Sequence, residues 1–230
     1  MLPIDLARNI SDVTARIRAA EGAAGRAAGS VKLLAVSKTK ASSVIAQAAE
    51  QGLSAFGENY AQEVGEKATQ LADLALEWHF IGPIQANKSK LIAETCDWVH
   101  SIDRVKVARK LSAQRDSVRL PLQVLIQVNV SGETSKSGVR PEEVASLAEA
   151  IVALPRLTLR GLMAIPAPVS EGEDPRKPFA ALRHLRDDLI AQFGPLDTLS
   201  MGMSGDLEAA ILEGSTLVRV GTDIFGARYT

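Results

Sequence analysis

Hydrophobic and polar positions alternate along this chain in two rhythms, one of short apolar runs and one of helical spacing. Leu6, Ile10, Val13 and Ile17 are spaced by four, three and four, which marks one face of an opening helix that closes in the glycine-rich stretch 22–29. Val31 to Val36 is then an apolar run of strand length that ends in Ser37-Lys38-Thr39-Lys40 and gives way to the helical pattern of Val44, Ile45, Ala48 and Ala49. The same unit recurs down the chain. Strands are predicted within Gly52–Asn59, over Glu77–Gly82, Asp97–Asp103, Leu122–Val130, Leu157–Ile165 and Asp197–Met201, and over Thr216–Val220. Between them, helical stripes run over Ala61–Leu74, Ala86–Glu94 and from Val105 through Leu111. Others run from Pro141 through Ile151, from Phe179 to Phe193 and over Asp206–Glu213. Pro141 with Glu142 and Glu143 suits a helix start, with proline first and acids over the positive end of the dipole. Pro166–Pro178, rich in proline, glycine and acids, reads as an exposed loop.

Eight strand-helix units without interruption require parallel strands joined by crossovers. The economical closure is a single (β/α)8 barrel, a TIM barrel of the α/β class with an extra N-terminal helix, spanning 1–230 as one domain; an open doubly wound sheet is the alternative. No linker and no solenoid repeat divides the chain.

Composition narrows the partners. The chain of 230 residues is 46% hydrophobic and carries 26 basic against 27 acidic residues, a formal charge of -1. That balance leaves no electrostatic footprint for nucleic acid or an anionic membrane and favours small molecules. Cys96 is the only cysteine, so neither an internal disulfide nor a thiolate metal cluster can form. Met1–Ile10 carries Asp5 and Arg8 and lacks the apolar core of a signal peptide, and no run reaches membrane-spanning length. A cytoplasmic protein, monomeric for want of an obvious interface stripe, is expected.

Chemistry gathers at strand ends, where loops are released from packing duty. Lys38 at the end of the first strand has three readings: a solvated loop lysine, a phosphate-binding cation, or a partly desolvated amine that adds to aldehydes. Met201-Gly202-Met203-Ser204-Gly205-Asp206-Leu207-Glu208 breaks from a strand into a glycine-flanked turn. There Ser204 and Gly205 suit an anion, or else Ser204 is an ordinary N-cap. In Leu217-Val218-Arg219-Val220-Gly221-Thr222 the arginine alternates with two valines, so it points away from them, toward either a ligand or an ion-pair partner. Strand one neighbours strand eight once a barrel closes. A phosphate site near strands seven and eight, a buried arginine and Lys38 then meet, and a phosphorylated aldehyde such as pyridoxal 5'-phosphate satisfies all three.

Residue for residue, the chain resembles the pyridoxal phosphate homeostasis proteins and is similar to the barrel domain of bacterial alanine racemases. The likeness rests on Ala35-Val36-Ser37-Lys38-Thr39, Phe56-Gly57-Glu58-Asn59-Tyr60, and Trp78-His79-Phe80-Ile81-Gly82 with Gln85, Asn87 and Lys88. It continues through Val128-Asn129, Lys136-Ser137-Gly138, Gly161-Leu162-Met163, Met201 to Asp206, and Arg219 to Thr222 with Phe225 to Arg228. The resemblance implies that Lys38 holds pyridoxal 5'-phosphate as a Schiff base. It also implies that Ser204, Gly205, Gly221 and Thr222 bind its phosphate, that Arg219 faces the pyridine nitrogen and that Asn59 lies beside the ring. An arginine at that nitrogen leaves the cofactor a poor electron sink. The racemases take a tyrosine base from a second, β-rich domain, whereas the only tyrosines here are Tyr60 and Tyr229.

The expected function is therefore binding, buffering and delivery of the cofactor, with apo-enzymes as recipients and without robust catalysis. A racemase or lyase of the alanine racemase fold type is the alternative, and a Schiff-base aldolase on a phosphosugar ranks last. His79 and His100 are expected to be satisfied core or strand-end histidines and His184 to be exposed. Lys88 and Lys136 are expected as phosphate-path or surface lysines, and Met163, Met201 and Met203 as packing at the barrel mouth.

Overall fold

Strands buried on both faces need two different neighbours, and each strand here has them. The computed structural model describes residues 5–133, 137–167 and 172–226. Its strands are β1 (Lys32–Val36), β2 (Ala55–Glu58), β3 (Glu77–Phe80), β4 (Trp98–Ile102), β5 (Leu122–Gln127), β6 (Leu157–Met163), β7 (Thr198–Ser200) and β8 (Leu217–Val220). All are parallel, each bonds to its neighbours in sequence, and β8 returns to β1, closing an eight-stranded barrel. The closing register sets Leu34 opposite Arg219 and Ala35 opposite Val220.

Alternation along each strand divides the core. Ala35, Phe56, Phe80, Val99, Val218 and Val220 belong to the large cluster shared with the helices, while Leu34, Ala55 and Leu217, with Ile81, form a small separate cluster. Each large apolar side chain so buried contributes roughly 1.5–3 kcal/mol. Gly161, at φ 151°, allows β6 to approach β7: a Cβ there would lie 1.9 Å from the Thr198 carbonyl oxygen.

The helices are α1 (Leu6–Ala23), α2 (Ser42–Glu50), α3 (Ala61–Gln70), α4 (Ser89–Thr95), α5 (Val105–Gln114), α6 (Val144–Val152), α7 (Lys177–Phe193), α8 (Leu207–Leu212) and α9 (Thr222–Phe225). Asp5 caps α1 by accepting from the Arg8 N–H, and α1 buries Leu6, Ile10, Val13 and Ile17. Buried Glu21 at its end accepts from the N–H groups of Gly29 and Val31, which aims the chain into β1.

Several predicted boundaries move. Helix α3 stops at Gln70 rather than Leu74, because the chain turns through Leu71 and Leu74 to enter β3. Helix α4 starts at Ser89, not Ala86. Strand β5 ends at Gln127 rather than Val130, since the Asn129 side chain accepts from Gly132 and donates to Glu133, forming a turn. Pro141–Glu143 is a single 3-10 turn ahead of α6, and the short α9 has no counterpart in the sequence reading. The loop expected over 166–178 yields to α7 at Lys177, and residues 168–171 within it lie outside the described residues. No helix among the described residues is long and apolar enough to cross a membrane.

Candidate functional site

The turn after β1 carries Lys38 and is pinned on both sides of it. Ser37 is buried; its N–H donates to the Gly57 carbonyl at 3.0 Å and its hydroxyl to Glu58 Oε1 at 2.6 Å. Thr39 adopts a left-handed φ of 65°, and its N–H donates to Glu63 Oε2 at 2.8 Å. Lys67 from α3 joins these anchors, donating to the Ser37 carbonyl, Glu58 and Glu63 at 3.0, 2.8 and 2.9 Å. Burial pushes the Glu58 carboxyl up, against the hydrogen bonds of Lys67 and Ser37, and its Oε2 is buried without a hydrogen-bond partner. Burial acts the same way on Glu63, but the Thr39 N–H and Lys67 outweigh it and hold that carboxyl below its ordinary value. Lys38, half-buried, thus rides on a backbone that cannot swing freely. Sequence reasoning missed this clamp: Glu58 enters it only as one letter of a motif, and no pattern singles out Lys67.

Two further loops lie beside it. After β7, Gly202 at φ 95° turns the chain, Asp206 accepts from the Met203 N–H at 2.6 Å, and Asp206 precedes α8. The N-cap position is therefore Asp206 and not Ser204. The N–H groups of Ser204 and Gly205 donate to no described residue, and a Cβ on Gly205 would meet nothing within 4 Å. The Arg219 N–H donates to the Gly202 carbonyl at 2.9 Å, tying this loop to β8. After β8, Gly221 packs on the end of β1, where a Cβ would stand 3.2 Å from the Val36 carbonyl oxygen. Thr222 follows as the exposed first residue of α9, with an N–H that has no acceptor inside the helix. Arg16 of α1 fastens both loops from behind. It donates to Glu208 at 2.7 and 3.0 Å, to Asp223 at 2.6 Å and to the Ser204 carbonyl at 2.9 Å. Nothing in the helical stripe of α1 signals this role.

Arg219 is buried inside the barrel, away from Val218 and Val220. It has no ion-pair partner among the described residues; Nη1 donates to the Ser200 carbonyl and hydroxyl at 2.6 and 2.7 Å and Nη2 to the Ala164 carbonyl at 2.8 Å. Burial lowers its pKa to about 10, with Asp206 opposing. Asn59, at the end of β2, is half-buried and its Oδ1 has no hydrogen-bond partner. It borders a cavity of about 130 Å³ that Tyr60, Gln85 and Lys88 also line. Gly82 makes room for it, since a Cβ there would lie 2.1 Å from the Asn59 carbonyl oxygen.

The carboxyl ends of β7, β8, β1 and β2 are consecutive around the barrel. They set Ser204 and Gly205, then Arg219, Gly221 and Thr222, then Lys38, then Asn59 along one arc of rim. His79 and His100 hydrogen-bond to each other in the interior, and His184 is exposed. No group of three or more metal-ligating side chains occurs among the described residues. Met163 and Met201 are buried, whereas Met203, in the turn after Gly202, is 37% exposed and does not pack as expected. Lys136 and Ala227–Tyr229 lie outside the described residues.

Residues 9–229 match the family model described as alanine racemase, N-terminal domain. A curated relative from Vibrio alginolyticus, named pyridoxal phosphate homeostasis protein, is 58% identical over 225 residues, covering 96% of this chain and 97% of its own. This chain belongs to the pyridoxal phosphate homeostasis protein family. The Escherichia coli K12 homeostasis protein is 51% identical over 230 residues, covering 97% of each chain. Among solved structures similar to this homeostasis-family chain is PipY of Synechococcus elongatus with PLP bound. It is 30% identical at a TM-score of 0.81, with 96% of this chain and 100% of that one covered.

Proposed function

We propose that this chain binds pyridoxal 5'-phosphate at the rim of β7, β8, β1 and β2 and serves in its intracellular homeostasis as a carrier rather than as an enzyme. The observation that carries the reading is the convergence on one arc of three features. These are a lysine on a pinned turn, two loops with N–H groups that donate to no described residue, and a buried arginine with no carboxylate partner among the described residues. The names of the relatives and the PLP-bound PipY structure support it.

Bound there, the cofactor supplies a reactive aldehyde on an electron-withdrawing ring. Lys38 would be the residue that holds the cofactor, its amine being the nucleophile the site offers to that aldehyde. Ser204, Gly205, Gly221 and Thr222 take the phosphate through N–H and hydroxyl donors. Arg219 would face the ring nitrogen as a donor, and because a guanidinium does not surrender its proton it would keep that nitrogen unprotonated and the ring weak in carbanion chemistry. Asn59 stands beside the ring. Tyr60 is 56% exposed, so the nearest tyrosine in sequence stands largely in solvent. Release to apo-enzymes from a cytoplasmic monomer completes the reading.

The test is the visible spectrum of the protein mixed with pyridoxal 5'-phosphate, followed by borohydride reduction and peptide mass mapping. A single adduct on Lys38, absent from Lys38→Ala, is expected, together with no exchange of amino acid Cα–H in deuterated water. Adducts scattered over surface lysines would sink the reading, and exchange abolished by Lys38→Ala would turn it into a racemase or lyase.

A further inference from the structure

One continuous line of side chains joins the floor of the barrel to its rim. Glu77, the first residue of β3, contacts both Lys32 and His79 Nε2. His79 Nδ1 lies 2.8 Å from His100 Nε2, His100 Nδ1 lies 2.9 Å from Ser200 Oγ, and Ser200 Oγ lies 2.7 Å from Arg219 Nη1. Strands β4 and β7 are not neighbours, so the contact between His100 and Ser200 crosses the barrel interior. His79, His100 and Ser200 are all at 0% exposure.

The two ends dictate every proton between them. A guanidinium only donates and a carboxylate only accepts. Ser200 Oγ accepts from Arg219 and turns its own hydrogen to His100 Nδ1. His100 then carries its proton on Nε2 and donates to His79 Nδ1, and His79 carries its proton on Nε2 and donates to Glu77. The reverse direction would leave a bare His79 nitrogen facing the carboxylate. Burial lowers both imidazole pKa values, so the rings are neutral at pH 7. Every dipole in the line turns its negative end to Arg219 and its positive end to Glu77. The result is an ion pair with three neutral groups between the charges. Three of the five N–H groups of Arg219 are engaged, leaving Nε–H and one on Nη2 that donate to no described residue.

We propose that Ser200, His100 and His79 are positioning residues for Arg219, a one-way relay anchored on Glu77 that fixes the guanidinium so that its remaining N–H groups select a ligand with an unprotonated ring nitrogen. This rests on the pyridoxal 5'-phosphate reading of the site. The relay explains why two histidines occupy a barrel interior where no metal-ligating cluster occurs among the described residues.

The experiment compares binding of pyridoxal 5'-phosphate with that of its 1-deaza analogue, in which a C–H replaces the ring nitrogen. The protein should prefer the nitrogen-bearing ligand about tenfold, the change expected for one hydrogen bond to a charged group. His100→Phe and Ser200→Ala should bring that preference close to unity, while His100→Gln, whose amide accepts from Ser200 and donates to His79, retains most of it. Nitrogen-15 NMR of the ligand-free protein should show both histidines as neutral Nε2–H tautomers. Full preference persisting in either His100→Phe or Ser200→Ala overturns the relay. So does a loss as complete in His100→Gln as in His100→Phe, or an Nδ1–H tautomer at either histidine. Failure of the unmodified protein to form the Lys38 adduct would instead remove the cofactor reading. A Lys38 adduct without ring-nitrogen preference would overturn the roles of Arg219 and the relay while leaving the cofactor in place.

Discussion

Lys67 imposes order through a single ammonium, since it offsets two carboxylates and holds the Ser37 carbonyl. Replacing it by methionine leaves Glu58 buried with no cation beside it. Breaking a buried pair in this way costs about 3–5 kcal/mol, read as a lower urea midpoint, and adding Glu58→Gln should recover most of the loss. The pH dependence has a definite sign. Burial raises the Glu58 carboxyl above its ordinary value of 4.5, so the native state holds its proton more tightly than the unfolded chain. Stability at this site therefore falls as pH rises through the raised pKa, and the deficit of Lys67→Met should narrow below pH 4.5. Glu77 behaves in the opposite sense. Burial would raise it, but the hydrogen bond of His79 and the hydrogen bond and charge of Lys32 hold it at about 2. Its contribution is present above pH 4.5 and is lost as pH falls toward 2. Because its side chain is 35% exposed, solvent screening discounts the effect, and Glu77→Gln should cost about 1 kcal/mol at neutral pH, vanishing in acid. Arg219 was legible in the sequence because it alternates with two valines and a period of two fixes the face. His79 and His100 were legible only as satisfied histidines. The same period says nothing of height in the barrel or of the residue across it, so the partners stayed hidden.

Among elements, α1 matters most beyond its own packing. Its apolar stripe was plain in the sequence, whereas Arg16 on the remaining face has meaning only once α8 and α9 stand beside it. Removing it by Arg16→Ala should loosen the Ser204 loop and weaken binding of pyridoxal 5'-phosphate about tenfold, as measured by fluorescence titration. Pyridoxal, which lacks the phosphate, should bind as before. The short α9 escaped prediction because four residues carry less than two turns of periodicity. The premature ends of α3 and β5 escaped because turns through Leu71–Leu74 and Asn129–Glu133 overrode apolar residues that would have extended them.

On the scale of the whole molecule, eight strands share one closed ladder, and a defect at one seam strains every other. Gly161→Ala would push a methyl group into the Thr198 carbonyl between β6 and β7 and should cost more than about 4 kcal/mol, seen as a large drop in Tm. The barrel itself was readable from the regular recurrence of strand and helix; its exact strand ends were not. Closure of β8 on β1 also has a consequence in time. The amine-bearing turn is translated well before the loops proposed to hold the phosphate, so at ordinary elongation rates roughly ten to forty seconds separate them on the ribosome. If Lys38 holds the cofactor as proposed, a nascent chain presents it without the rest of that pocket, no better than any other lysine for trapping a passing aldehyde. On the proposed reading the pocket is completed only when β8 pairs with β1.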